Sequence, residues 1–241
     1  MSVHLVGGGW SETKDPAVYD LFVAEAAARA ASESYEGEPR IAVLVVRAGD
    51  ADDHAAQLID AASGAGAFEP VISGLTHGDV ATPAALADVH GIFIGGGLTP
   101  AYAKAFAPIF GEIRRLVASG VPYLGFSAGS SLAAERAVVG GWRIGGVEVA
   151  PEAVAEDLDE VTVENGIGLL DISVDVHAVQ WGSLSRLIAA TEAGLVDGGV
   201  AIDENTAFVV GEGALRVVGA GSVWQVLSTD GGVRVSSLAA G

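Results

Sequence analysis

The strongest constraint on the fold is a regular alternation of two kinds of segment over the first 135 residues. Short runs rich in Val, Ile and Leu, such as RIAVLVV at 40–46, alternate with Ala-rich stretches of helical pattern, such as ADDHAAQLIDAASGAG at 51–66. A continuous apolar strand is expected where helices cover both faces of a parallel sheet. The alternation therefore predicts an α/β fold in which a doubly wound, mostly parallel sheet forms the middle of three layers.

The second half of the chain has a different pattern. After a helix predicted at 183–194, short apolar runs separated by Gly turns follow, among them ALRVVGAG and SVWQVLS. Such runs predict a β-hairpin region at the C-terminal end. We see no internal repeat and no linker rich in Pro or Ser, so we expect one domain over residues 1–241.

The amino-acid composition argues against several classes of binding partner. The chain carries 31 acidic and 12 basic residues, a formal net charge of −19, and no cysteine. Phosphate backbones and anionic membranes bind clustered Lys and Arg, so we expect neither as a partner. The absence of cysteine excludes disulfides, thiolate metal ligands and a cysteine nucleophile. No apolar run reaches about 18 residues, and the start of the chain lacks the pattern of a signal peptide, so we expect a cytoplasmic protein.

Glycine-rich strand ends mark the expected site, because ligands bind beyond the carboxyl ends of parallel strands. Three such ends occur, at 7–10, 95–99 and 125–129, and none has the spacing of a phosphate-binding loop. The third, GFSAG, matches the G-x-S-x-G pattern of a nucleophile elbow, which would present the Ser127 hydroxyl and the backbone N–H of Ala128. The alternative interpretation is a structural turn between a strand and a helix. We expect no cofactor and no metal ion.

A serine nucleophile needs a base, and the base needs an acid that orients it. Of the five histidines, His177 best fits that role, because it ends an apolar strand and precedes a helix. It can therefore lie at the same sheet edge as Ser127. Another strand ends at the acidic pair Asp203 and Glu204, and either carboxylate could reach an imidazole there. A solvated loop is the alternative reading of that pair.

Three segments in order, GFSAGSS, DVHAVQWGSLSRL and AIDENTAFVV, resemble the peptidase E and cyanophycinase family of serine peptidases. FIGGGLTPAYAKAF resembles the family's glycine loop, and the similarity runs from the first strand to about residue 211. The resemblance implies a fold like that of the class I glutamine amidotransferases. It also implies Ser127 as nucleophile, His177 as base and Glu204 as orienting acid, with Gly97 and Ala128 supplying the N–H groups of an oxyanion hole.

The chain departs from the family at positions that the resemblance assigns to substrate binding. The family pattern after the histidine is similar to H-F-x-x-R-x-R-x-x-R-L, whereas this chain has Trp181 and Ser183 at the first two arginine positions and keeps only Arg186. Leu98 stands where the glycine loop commonly continues with Asn or Gln. By the resemblance, Leu98, Gln180, Trp181 and Arg186 are the candidate substrate-binding residues. For Trp181, a pocket wall and a packing role are both open.

The sequence therefore predicts a serine-dependent peptidase that hydrolyses a small peptide or a β-aspartyl-type amide through a Ser-His-Glu triad. The altered arginines argue against cyanophycin itself as the substrate. Two alternatives remain open, a non-catalytic protein of the same fold that binds a small ligand, and an esterase. A homodimer is also left open.

Overall fold

The computed structural model describes residues 2–10 and 16–240. The helices are α1 (Ala17–Ser32), α2 (Ala51–Ser63), α3 (Thr99–Phe106), α4 (Phe110–Ala118), α5 (Ala128–Leu132) and α6 (Ser183–Glu192). The strands are β1 (Val3–Val6), β2 (Arg40–Arg47), β3 (Glu69–Thr76), β4 (Gly91–Ile94), β5 (Tyr123–Phe126), β6 (Arg136–Gly140), β7 (Arg143–Ile144), β8 (Val147–Glu148), β9 (Thr162–Asn165), β10 (Ser173–Val176), β11 (Gly198–Ile202), β12 (Thr206–Val210), β13 (Arg216–Gly219), β14 (Ser222–Thr229) and β15 (Gly232–Ala239).

The larger of the two main sheets has seven strands in the order β13-β12-β1-β5-β4-β2-β3. The pairings among β1, β5, β4, β2 and β3 are all parallel, whereas β12 pairs antiparallel with β1 and β13 antiparallel with β12. This confirms the prediction of a mixed α/β fold with a large, mostly parallel sheet. Its carboxyl edge collects the ends of β1, β4 and β5, which are the three glycine-rich ends found in the sequence.

Helices cover both faces of this sheet, which explains why its central strands are apolar throughout. Along β2, Ile41, Val43 and Val45 pack with α1 and α2, whereas the alternate side chains Ala42 and Leu44 pack with α3, α4 and α5. Successive side chains of a strand point to opposite faces, so a strand covered on both sides has no polar face to present.

The second main sheet has four strands in the order β10-β11-β14-β15. Its first two strands run parallel, and β14 and β15 form the C-terminal hairpin that the sequence predicted. Helix α6 packs on this sheet through Leu187 and Ala190. The strands β12 and β13, which sequence alone did not separate from the hairpin region, instead extend the larger sheet beyond β1. Two short antiparallel pairs, β6 with β9 and β7 with β8, come between β5 and β10 along the chain.

Within the described ranges, no helix combines the length and the apolar character that crossing a membrane requires.

Candidate active site

Ser127 sits at a sharp turn between β5 and α5. Its backbone has φ 52° and ψ −111°, a conformation that a non-glycine residue rarely adopts, and its side chain is buried. The Ser127 N–H donates to the carbonyl of Val6, and the Gly129 N–H donates to the carbonyl of Gly95, at 3.0 Å each. These bonds tie the turn to the ends of β1 and β4, so the strained serine is held by neighbours on both sides.

The imidazole of His177 contacts both the serine and a glutamate. Its Nε2 lies 2.9 Å from the Ser127 Oγ, and its Nδ1 lies 2.7 Å from Oε1 of Glu204. His177 directly follows β10 and Glu204 lies two residues after β11, so the parallel pairing of these strands brings the two side chains together. Burial lowers the pKa of His177 below its usual value, while the Glu204 carboxylate opposes that shift. The ring is therefore mostly neutral at pH 7 and able to accept a proton.

The glycine run at the end of β1 forms the floor beneath this pair. A Cβ on Gly8 would lie 2.3 Å from Cε1 of His177, and a Cβ on Gly9 would lie 2.7 Å from Oε2 of Glu204. The His177 N–H also donates to the Gly7 carbonyl at 3.0 Å. The sequence marked this run as a strand end but gave no role to it. The structure shows that only residues without a side chain leave room for the imidazole and the carboxylate.

The structure distinguishes Asp203 from Glu204, the two acids that the sequence offered as partners of the imidazole. The Asp203 carboxylate is buried and accepts from the backbone N–H of Val179 and Ser222 and from Nε1–H of Trp224. It therefore links the segment that follows β10 to the start of β14, from its own position just after β11. Of the pair, Glu204 is the residue whose carboxylate contacts the imidazole.

A cavity of about 580 Å³ opens beside Ser127, and its walls include Gly97, Leu98, Trp181 and Arg47. Among the hydrogen bonds of residues 2–10 and 16–240, none is donated by the backbone N–H of Gly97 or Ala128. Both N–H groups belong to segments that adjoin Ser127. Ala128 directly follows Ser127, and Gly97 follows Gly96, which lies against the Ser127 side chain.

One part of the cavity wall is acidic. Glu152, Glu156 and Asp157 line it, and Glu156 Oε2 accepts from the backbone N–H of Thr99 at 3.0 Å. Burial raises the pKa of Glu156. Within the described part of the chain, no group of three or more His, Asp or Glu side chains is placed to bind a metal ion.

Comparison with known proteins finds a cyanophycinase that is similar in sequence and two structures of similar fold that are named as peptidases. No protein-family model matches the chain. A cyanophycinase from Synechococcus elongatus is 36% identical over 138 residues, which cover 55% of this chain and 40% of that protein, so the match spans less than half the length of the relative. A peptidase from an acI-B1 actinobacterium has a similar structure, with a TM-score of 0.65 and 18% identity over 100% of this chain and 94% of the other. A structure from Listeria monocytogenes, named as a candidate peptidase E, has a TM-score of 0.50 and 12% identity over 91% and 98%.

Over those 138 residues, this chain is similar in sequence to cyanophycinase. The two structures, both under 25% identical, show a shared fold.

Arg186, the arginine of the family pattern that this chain keeps, does not lie in the cavity wall. It is buried, and its guanidinium forms a two-point contact with Asp175, at 2.9 and 2.7 Å. It also donates to the carbonyls of Gly141 and Val154. Its donors are thus engaged within the protein, which corrects the prediction that it faces substrate. A sequence signal for this role existed, because an aspartate inside the apolar strand SVDV needs a buried partner.

The other three predicted substrate residues divide between the cavity and its edge. Leu98 and Trp181 line the cavity. Gln180 is exposed, is not among the lining residues, and uses its Oε1 to accept from the backbone N–H of Glu204 at 3.0 Å. Trp181 lies flat on the His177 ring, with ring centres 4.0 Å apart and planes 8° from parallel.

Proposed function

We propose that this chain is a serine peptidase that hydrolyses a small peptide or a β-aspartyl-type amide. The observation that carries the proposal is the continuous contact from the Ser127 Oγ through the His177 ring to the Glu204 carboxylate, at 2.9 and 2.7 Å, at the end of a strained turn. A hydroxyl, a neutral imidazole and a carboxylate in this order are the parts of a nucleophilic triad. The named peptidases among its relatives support the same reaction class.

The proposed reaction is acyl transfer to water. Nε2 of His177 takes the proton of Ser127 as its oxygen attacks the amide carbonyl, while Nδ1–H donates to Glu204, which fixes the tautomer and stabilises the imidazolium. The N–H groups of Gly97 and Ala128 bind the oxygen that becomes negative. His177 then gives its proton to the leaving amine. In the second half of the reaction water takes the place of the amine: His177 accepts a proton from the water as it attacks the acyl group and returns a proton to Ser127 as the acid leaves.

We further infer that the three layers follow the class I glutamine amidotransferase arrangement, with one domain over residues 1–241. Helices on both faces of the larger sheet, and the elbow after its central strand β5, support this inference. The substrate differs from cyanophycin in this proposal, because Trp181 and Ser183 stand where the family pattern has arginines and Arg186 is engaged with Asp175.

A panel of α- and β-aspartyl dipeptides beside ordinary dipeptides tests the function, with Ser127→Ala as the key variant. We expect turnover of at least one substrate by the wild type and a loss of about 10³-fold to 10⁶-fold in the variant, with its circular dichroism unchanged. Ser131→Ala is the matched control, because this buried hydroxyl lies one turn further along and outside the triad.

A fluorophosphonate probe separates the enzyme from its alternative. Labelling of the wild type at Ser127, absent in Ser127→Ala and retained in Ser131→Ala, supports an activated serine. A wild type that neither turns over any member of the panel nor takes up the probe would exclude the peptidase and favour a small-ligand-binding protein of the same fold.

A further inference from the structure

The indole of Trp181 covers one face of the His177 imidazole. The planes are 8° from parallel and the centres 4.0 Å apart, which is full ring-on-ring contact. The indole is still 41% exposed, so its remaining surface borders the cavity. Trp181 therefore separates the imidazole from solvent on that side.

A hydrogen-bonded turn connects the two residues. His177 has φ 56°, in the left-handed region, and its carbonyl accepts from the Trp181 N–H at 2.9 Å, which closes a single turn over 177–181. At the far end of the turn, the Ser183 hydroxyl donates to the Val176 carbonyl at 2.6 Å. The Val179 N–H donates to Asp203 within it. The hydrogen-bonded turn thus fixes the Trp181 backbone beside His177, from where the indole reaches the ring.

The face of an indole attracts a cation, and more strongly where water is excluded. The imidazole is neutral at rest and gains a positive charge only when it accepts the serine proton. Burial disfavours that charge, so a flat aromatic face that favours it acts selectively on the charged state. An arginine at this position, as in the family pattern, would place a second positive charge beside the imidazolium instead.

We propose that Trp181 is a positioning residue that fixes the plane of the His177 ring and stabilises its protonated form during attack by Ser127. Its kinetic consequence rests on the proposed function, whereas its effect on the His177 ring does not. This role goes beyond a wall of the substrate pocket, because it acts through the histidine.

Other charged groups surround the ring, and the test holds them constant. Glu204, Asp175 and Arg186 act on the imidazole electrostatically. The charged and titratable side chains of the cavity wall are Arg47, His54, Glu152, Glu156 and Asp157. Substitutions at Trp181 alone leave all of these groups unchanged. Differences between the variants therefore measure the effect of the indole face on the His177 ring.

Indole fluorescence gives a test that needs no substrate, because a protonated imidazole in contact with an indole quenches its emission. The difference between the wild type and Trp181→Phe isolates the signal of Trp181 among the four tryptophans. We expect this signal to fall as the pH is lowered through the His177 titration, and to lose that step in His177→Asn. Trp10→Phe is the matched control, because Trp10 borders the same cavity and contacts His54 instead. A step that persists in His177→Asn, or a Trp181 signal with no step, would overturn the proposal.

The His177 ring can also be titrated directly by NMR, which covers the case in which His177→Asn does not fold. Trp181→Leu keeps an apolar cover without an aromatic face, and Trp181→Phe keeps a smaller face. We expect the pKa of His177 to decrease in the order wild type, Trp181→Phe, Trp181→Leu. An equal pKa in all three proteins contradicts the proposal.

Kinetics separate this role from substrate binding. Trp181→Leu should lower kcat by about twofold to thirtyfold, the range expected for loss of a cation–π contact, while KM changes by less than about twofold. The acidic limb of the pH profile should move to lower pH. A rise in KM with unchanged kcat would assign Trp181 to the substrate instead. If no substrate is found, the proposed function fails while the fluorescence and NMR results still decide the proposal on Trp181.

Discussion

The two main sheets contribute different parts of the candidate site. The seven-stranded sheet carries Ser127 at the end of β5, and the four-stranded sheet carries His177 and Glu204 beyond β10 and β11. Ser127 lies in a turn that the five consecutive residues GFSAG mark in the sequence. The histidine and the glutamate are 27 residues apart and meet only because their strands pair. The candidate nucleophile is thus recognisable from a local motif, whereas the contacts that would activate it depend on tertiary structure.

The sheets join at the glycine run after β1. The Gly7 carbonyl accepts from the His177 N–H, and the Gly8 carbonyl accepts from the Asn205 N–H at 2.8 Å. The larger sheet therefore provides the surface on which the smaller sheet aligns its two side chains. We therefore expect damage within the smaller sheet to reduce the proposed activation of Ser127 without changing the elbow, and damage at the elbow to destabilise the larger sheet.

The largest expected effect comes from the acid of the smaller sheet. Glu204→Gln keeps the size of the side chain but removes the charge that stabilises the imidazolium. We expect kcat to fall by about 10⁴-fold, or about 5.5 kcal/mol of transition-state stabilisation. Steady-state kinetics on the substrate found above measure it.

The pH dependence of Glu204→Gln follows from the same contact. Activity requires neutral His177, so it is lost as the pH falls through the pKa of that ring. The Glu204 carboxylate raises this pKa, so its removal should move the acidic limb to lower pH. A limb that moves to higher pH, or a kcat within about tenfold of the wild type, would contradict the role of Glu204.

A smaller effect is expected from the buried ion pair behind the histidine. Asp175→Asn leaves the guanidinium of Arg186 without a counter-charge in a fully buried position. Breaking such a pair should lower the free energy of unfolding by about 3–5 kcal/mol, measured by urea denaturation.

The matched control for Asp175→Asn is Glu112→Gln, which breaks an exposed pair with Arg115 on α4. We expect a far smaller change there, because exposed ion pairs contribute little. Fluorophosphonate labelling should fall in Asp175→Asn more than in Glu112→Gln. Equal stability of the two variants would show that the pair does not support the smaller sheet.

The smallest of these effects is expected at the elbow itself. A Cβ on Gly125 would lie 2.5 Å from backbone atoms of Gly129 and Ser130, so Gly125→Ala forces β5 and α5 apart. We expect a loss of about 3 kcal/mol in the free energy of unfolding. Gly49→Ala, at a position with open space around it, should stay within about 0.5 kcal/mol. Similar losses in both variants would indicate that helix and strand are not in close contact at the elbow.

The larger sheet and the candidate triad could both be predicted from the sequence, but for different physical reasons. The alternation of apolar strands and amphipathic helices reports burial on two faces, and the elbow is a local motif, so both are readable without partners. The choice of Glu204 over Asp203 needed the family resemblance, because either carboxylate follows β11. The structure separates them through the partners that Asp203 finds in Ser222 and Trp224.

The features that sequence missed depend on contacts between distant segments. The placement of β12 and β13 beside β1 is decided by strand pairing, which an apolar pattern does not specify. The interior position of Arg186 depends on Asp175, and the close packing of Gly8 depends on His177. The stacking of Trp181 depends on a left-handed histidine that no local motif announces.

The division of the candidate site between two sheets has a consequence for synthesis. The serine emerges from the ribosome 50 residues before the histidine with which it makes contact. A growing chain can form the elbow early, yet it then carries an ordinary alcohol with no base beside it. In the proposed mechanism the hydroxyl becomes reactive only after β10 and β11 have placed His177 and Glu204 beside it, so an unfinished copy would not attack its neighbours.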